Sequence, residues 1–197
     1  TTYYYSPERA LQILYAMGWS DSDQNGILDR LQDGLIQEFT INIITYEEPT
    51  RSTRRDAARL IAEQLRRIGI AVTVEVKTRD GVRNALRADT FDLALVAYNL
   101  SDYPSLSFLF SSSAVSNYSN YQSSEMDDLL EAVAAAQDAE TLKTAMSRLQ
   151  LLIVEDLPIL GLFFRTGVVI SARGVAGLSG VRADQNFRGF EFWQPSN

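Results

Sequence analysis

Cysteine and histidine are both absent from this sequence of 197 residues. Their absence removes disulfides, a thiolate nucleophile, an imidazole base and any Cys/His zinc site. No apolar run approaches the length of about 18 residues that would cross a bilayer as a helix. Basic residues are also short: 18 Lys and Arg against 25 Asp and Glu leave a net charge of −7. That balance argues against nucleic acid and against an anionic membrane surface as partners. There is no internal repeat, no Gly-rich phosphate loop and no pair of carboxylates in a context that predicts acid–base work. The chain opens on TTYYYSPERALQ, with neither the charged nor the apolar region of a signal peptide. It enters a helix almost at once and reads as a fragment or an excised domain.

What is present is a strong alternation of strand and helix patterns. At 46% hydrophobic and 22% charged, the composition suits an ordinary globular core. Phe39, Ile41 and Ile43 alternate with Thr40 and Asn42, the period of a strand. Thr53 and Asp56 form a T-x-x-D capping box, behind which Ala57, Ile61, Leu65 and Ile68 recur at helical spacing. Gly69 is a natural helix stop. Val72, Val74 and Val76 then mark a second strand. Asp80 can cap a short helix carrying Val82, Ala85 and Leu86. Leu93–Tyr98 is an unbroken apolar run, the pattern of a strand covered on both faces. Two successive βαβ units imply parallel strands with right-handed crossovers. The fold class predicted is therefore α/β, a mostly parallel βαβαβ sheet flanked by helices.

The flanking segments follow the same logic. Ser6 and Pro7 suit the N-cap and first turn of a helix with Leu11, Leu14 and Tyr15 as its stripe, ended by Gly18. In WSDSDQNGILDRLQDG, Asp21, Asp23, Asn25 and Gly26 match the front of a calcium loop. The twelfth position is Gln32 rather than the bidentate Glu, so a polar turn held by its own Asx side chains is the competing reading. Asn99, Ser101, Asp102 and Tyr103 stand beyond the carboxyl end of the third strand, where open parallel sheets bind ligands. Ser111–Ser124 is rich in Ser, Asn and Tyr, either a solvated loop or a polar and aromatic ligand-facing surface. Ser124 and Asp127 make a second capping box for a helix with Met126, Leu129, Leu130 and Val133 inward. Asp138 caps a last helix with Leu142, Ala145, Met146, Leu149, Leu152 and Ile153 inward, stopped at Asp156-Leu157-Pro158. Ile159–Phe164 and Val168–Ile170 read as strands. The tail, 165–197, carries Phe187, Phe190, Phe192 and Trp193 and is expected to pack back on the body through those aromatics.

These residues, taken in order, resemble family 5 of the extracellular solute-binding proteins of ABC importers, the dipeptide-, oligopeptide- and nickel-binding type. The segment ALQILYAMGW with DSDQNGILDRLQDG resembles the family's aGw-D-x-dGdGi stretch. RRDAARLIAEQLRRIGIAVTV resembles its A-x-x-i-x-x-x-L-x-x-iGI-x-v-x-v segment, and Phe91-Asp92 its "FD" strand. Asn120-Tyr121 with Glu125–Leu130, and LQLLIVEDLP, follow in the family's order, so the resemblance spans roughly Ser6 to Leu162. It implies that residues 1–197 are a single lobe of a type II periplasmic-binding-protein fold, with the N-terminal lobe missing.

The resemblance further implies a binding role, not an enzyme, with no cofactor. The ligand would be a peptide or similar small solute held between two lobes, and the intact protein, expected to be monomeric, would meet an ABC permease. Its place would be the extracellular face of the membrane or the periplasm, free or as a lipoprotein. In peptide-binding members an Asp shortly before the Pro of the ligand loop bonds the peptide's ammonium group. Counted back from Pro104 without gaps, the matching position here is Leu100, and Asp102 is the nearest carboxylate. Asp102 is the ammonium ligand if the loop is shifted, and otherwise an N-cap or turn residue. A hydrolase using carboxylates and a calcium-stabilised interaction domain are the alternative functions.

Overall fold

A computed structural model describes residues 4–50, 52–98, 105–163, 175–176 and 194–195. Its backbone divides into two units, Thr1–Pro158 and Ile159–Asn197. The first unit is built on a three-stranded parallel sheet. Strand β3 (Thr40–Tyr46) is central, with β4 (Ala71–Lys77) on one side and β5 (Leu93–Leu95) on the other; the antiparallel pair β1 (Asp29–Gln32) and β2 (Leu35–Glu38) precedes it. In register, Thr40 lies opposite Ala71 and Tyr46 opposite Lys77, while Ile43 lies opposite Leu93. Helix α2 (Thr53–Arg66) connects β3 to β4, and α3 (Arg79–Ala88) connects β4 to β5. The predicted βαβαβ unit is thus present in full.

The period of two in β3 and β4 sends alternate side chains to opposite faces. On one face Ile43 and Val72 bury against Ala58 and Ala62 of α2, with Leu11 and Leu14 of α1 (Pro7–Ala16) packed alongside. Small Ala residues at α2's contact positions let that helix lie close to the strands. On the other face Ile44 buries against Val82 and Ala85 of α3, with Tyr46 at the margin. Gly69 ends the α2 segment at φ +80, and a Cβ there would lie 2.9 Å from Leu28 Cγ. The Leu28 amide donates to the Gly69 carbonyl at 2.7 Å, so the segment before the sheet is tied to the α2–β4 turn.

Several local expectations are corrected. Three predicted caps shift to a neighbouring Ser or Thr. Helix α2 begins at Thr53 with Ser52 as N-cap, so the Thr53/Asp56 box does not form; Ser52 instead hydrogen-bonds Asp56. Thr78, not Asp80, caps α3, its hydroxyl accepting from the Gly81 amide at 3.1 Å. Ser123, not Ser124, caps α5 (Ser124–Ala135), accepting from the Met126 amide at 3.2 Å. Ser6 and Asp138 cap α1 and α6 (Ala139–Asp156) as expected. Tyr15, expected in the α1 stripe, is exposed, because the core contact is made by Ala10, Leu11 and Leu14.

Strand β5 is shorter than the apolar run. It covers three residues, and Leu93 is 44% exposed, because β5 is an edge strand paired only with β3 among the described residues. The hairpin β1–β2 was not foreseen. Its two-residue turn is Asp33-Gly34, both at positive φ, which suits the twist of a tight hairpin. A short helix α4 (Ser107–Phe110) follows Pro104 and buries Leu109 and Phe110, as expected for the segment behind that proline.

In the second unit, residues 159–163 form no strand, contrary to expectation, and Leu160, Leu162 and Phe163 are exposed. Leu157 leaves α6 in the left-handed region at φ 48, and no described strand offers these residues a ladder. Val175–Ala176 (β6) pairs antiparallel with Gln194–Pro195 (β7). Val168–Ile170 and the four aromatics of the tail lie outside the described residues.

Candidate functional site

Ligands of open parallel sheets bind beyond the carboxyl ends of the strands, where the crossovers part to opposite sides. With the order β4-β3-β5, that point lies at the carboxyl ends of β3 and β5. Both ends are tied down. The buried Thr45 hydroxyl donates to the Leu95 carbonyl at 2.9 Å, and the Glu47 amide donates to the Lys77 carbonyl at 3.1 Å.

The last residue of β3, Tyr46, anchors a charged cluster at this edge. Glu48 and Arg54 form a buried ion pair, Oε1 to Nη1 at 2.6 Å, with each side chain only 8% exposed. The second Glu48 oxygen accepts from the Arg54 amide at 3.1 Å, which satisfies a donor in the first turn of α2. The Arg54 guanidinium lies 4.4 Å from the centre of the Tyr46 ring. Arg79, the first residue of α3, brings a second guanidinium to 5.3 Å from the same ring. The crossovers place these groups together because each helix begins where its strand ends. Tyr46, Glu48, Arg54 and Arg79 were not picked out in the sequence. Arg54 sits in an Arg-rich run in which nothing marks one arginine as the buried one.

The candidate residues Asn99, Ser101, Asp102 and Tyr103 lie outside the described residues. The residues leading to them follow β5 directly. Tyr98 meets Phe108 edge-on, ring centres 6.0 Å apart, and burial raises its phenol pKa, helped by Tyr118.

The Ser- and Asn-rich loop is organised inward. Asn117 is buried; its amide group donates to the carbonyls of Ser111 at 3.2 Å and Tyr121 at 2.7 Å, and its oxygen accepts from the Tyr121 amide at 3.2 Å. The Asp127 carboxylate accepts from the Ser112 amide at 2.9 Å, which lowers its pKa. Asp127 thus anchors this loop to α5 instead of closing a capping box with Ser124. The loop's side-chain bonds are largely spent on itself.

In the candidate calcium loop, Asp21, Asp23 and Asp29 bring carboxylate oxygens within 4.8 Å of one another. Each is also a turn acceptor. Asp21 accepts from the Gly26 amide at 3.0 Å, Asp23 from the Asn25 amide at 3.2 Å, and buried Asp29 from the Ser22 amide and hydroxyl at 2.9 and 2.7 Å. Asn25 accepts from the Ile27 amide at 2.8 Å. Gln32, the twelfth position, is paired with Leu35 at the hairpin end. These bonds are those of a polar turn, formed by the same carboxylates that a cation would use.

Comparison with known proteins bears on this arrangement. The description "Bacterial extracellular solute-binding proteins, family 5 Middle" matches residues 1–120. The chain belongs to this family. A curated relative, the oligopeptide-binding protein AppA of Bacillus subtilis, is 27% identical over 165 residues, covering 81% of the chain and 29% of AppA. The solved structure of AppA with a nonapeptide superposes with a TM-score of 0.69 at 28% identity, over 78% of this chain and 30% of that one. An oligopeptide-binding protein of Thermus thermophilus with a pentapeptide gives a TM-score of 0.74 at 24% identity, over 84% and 30% of the two chains. The fold is that of the type II periplasmic binding proteins of family 5, and the relatives are solute-binding proteins. This family 5 chain spans about 30% of the length of the relatives it matches. Among its described residues, no helix is long and apolar enough to cross a membrane.

Proposed function

We propose that this chain is one lobe of the solute-binding component of an ABC importer, and that it holds a peptide or similar small solute against the carboxyl edge of its parallel sheet. The observation that carries the reading is the edge itself. The central strand ends in Tyr46, with the guanidiniums of Arg54 and Arg79 beside its ring and a buried ion pair behind it, at the position where open parallel sheets take ligands. Such a site needs preformed polar groups and an aromatic face, and no nucleophile. A second lobe, outside this chain, supplies the opposite wall. A solute touching both lobes favours the closed state, and the permease reads closure as occupancy. Residues 1–197 then act as one lobe of a protein that works as a monomer at the extracellular face of the membrane or in the periplasm, free or lipid-anchored. The relatives' nonapeptide and pentapeptide complexes make peptides the first ligands to test.

Asp102 is the residue of the predicted loop that we assign to the ligand's ammonium group. In the intact protein Asp102→Ala should weaken peptide binding about 10- to 100-fold, the worth of one charge-assisted hydrogen bond. Unchanged affinity removes Asp102 from the site. The reading as a whole is tested by denaturing the purified intact protein and identifying released small molecules by mass spectrometry. A ladder of short peptides supports it; a single non-peptide species keeps the transport role and replaces the ligand.

A further inference from the structure

We infer that Asn25 is a site of spontaneous modification, which the folded loop converts to aspartate and isoaspartate through attack by the Gly26 amide nitrogen. The inference concerns the loop before β1 and is independent of the solute-binding reading.

Asparagine is among the chemically labile residues, and a glycine after it leaves the attacking backbone nitrogen without a Cβ to screen it. Asn25-Gly26 is the one Asn-Gly pair in the sequence. Both residues are exposed. Gly26 has φ +88, and nothing lies within 4 Å of the place its Cβ would take. Water and small changes of the loop therefore meet no steric barrier there.

The loop also sets polar groups on the reacting atoms. The Gly26 N–H donates to Asp21 Oδ2 at 3.0 Å, so a carboxylate already holds the proton that the nucleophile must lose. Asn25 Oδ1 accepts from the Ile27 amide at 2.8 Å. That amide is a fixed donor on the oxygen where negative charge develops as nitrogen adds to Cγ. When the N–Cγ bond forms, the proton passes to Asp21 and then, through water, to the departing nitrogen. The Cγ–Nδ2 bond breaks and ammonia leaves. Water adds to either carbonyl of the resulting cyclic imide, and ring opening gives aspartate or isoaspartate.

The same conversion unties the loop from the hairpin. Asn25 Nδ2 donates to Asp23 Oδ2 at 3.1 Å and to Glu38 Oε1 at 2.9 Å, and Glu38 is the last residue of β2. Loss of ammonia removes both donors and sets a new carboxylate against two others.

The test holds the intact protein and a synthetic peptide of residues 19–30 at one neutral pH and one temperature. Conversion is read by mass spectrometry of the tryptic fragment 10–30 and by labelling with an isoaspartyl methyltransferase. The folded protein should convert Asn25 at least as fast as the peptide. Asp21→Ala should slow the folded protein about tenfold and leave the peptide unchanged. That is less than the hundredfold or more of a base in a closed active site, since this loop is open to water. An Asn25 that persists in the folded protein while the peptide converts overturns the inference, because the loop's hydrogen bonds then protect the amide. Equal rates in wild type and Asp21→Ala overturn the role of Asp21. A signal that survives in Asn25→Gln overturns the assignment to Asn25. Asn25→Asp, one of the two products, should melt below wild type; an equal melting temperature overturns the untying of the loop. If Asp21→Ala does not fold, the comparison of folded wild type with the peptide decides alone.

Discussion

Replacing Glu48 by Ala should damage the lobe far more than an ordinary surface substitution. The Glu48 side chain is 8% exposed and accepts from both the guanidinium and the amide of Arg54. Removing it leaves a guanidinium of equal burial without its counter-charge and an amide in the first turn of α2 without its acceptor. Breaking one side of a buried ion pair costs about 3–5 kcal/mol. Against a total stability of roughly 5–15 kcal/mol, that is a large fraction. Urea unfolding of the 197-residue polypeptide, followed by far-UV circular dichroism, reads the loss. With a slope of about 2–3 kcal/mol per molar, the midpoint should fall by about 1–2.5 M. Glu48→Gln keeps one acceptor and should lose less. Glu48→Leu combined with Arg54→Met should recover most of the loss, because an apolar pair of similar volume removes the stranded charge. A shift in Glu48→Ala below about 0.3 M would refute the reasoning, since it would mean that the pair is effectively solvated.

Other consequences are equally direct. Gly69→Ala forces a side chain into the left-handed region and against Leu28, so the melting temperature should drop by about 3–9 °C, from about 1–3 kcal/mol of strain. Asp138 has its pKa held below the ordinary value by the Thr141 amide, then by the Thr141 hydroxyl, as the cap of α6. A lowered folded pKa means that its stabilisation is full above the unfolded value and is lost as pH falls through the folded one. Melting curves at about pH 7 and about pH 3 should therefore show a smaller acid loss for Asp138→Asn, which caps without titrating, than for wild type. Asp21→Ala removes the acceptor of the Gly26 amide and should lower the melting temperature equally with calcium and with chelator. A calcium-dependent rise in wild type that disappears in Asp21→Ala would decide for the metal-loop reading instead.

The parts of the fold that were legible in the sequence are those with a sustained period. Alternation in 39–43 and 72–76, and helical spacing from Ala57 to Ile68, read correctly because the buried faces are wide and repeat several times. The caps read less well. Ser52 stands beside Thr53 and Ser123 beside Ser124, so composition offers two equivalent hydroxyls and only backbone geometry chooses between them. The hairpin β1–β2 was missed although Asp33-Gly34 announces its turn, because β2 is exposed along its whole length and shows no alternation of burial. At the site, Asn99–Tyr103 came from a rule about strand ends. The cluster at Tyr46 came only with the fold. It joins residues from β3, the loop after it and two helices, and no spacing in the chain encodes that convergence.

Hydrogen exchange of the intact protein, with and without a saturating pool of short peptides, tests the central claim most directly. Placement of the ligand at the carboxyl edge predicts slowed exchange in 44–56 and 77–81, with the β1–β2 hairpin unchanged. Peptide-dependent protection confined to other parts of the protein, with these segments unaffected, would contradict it.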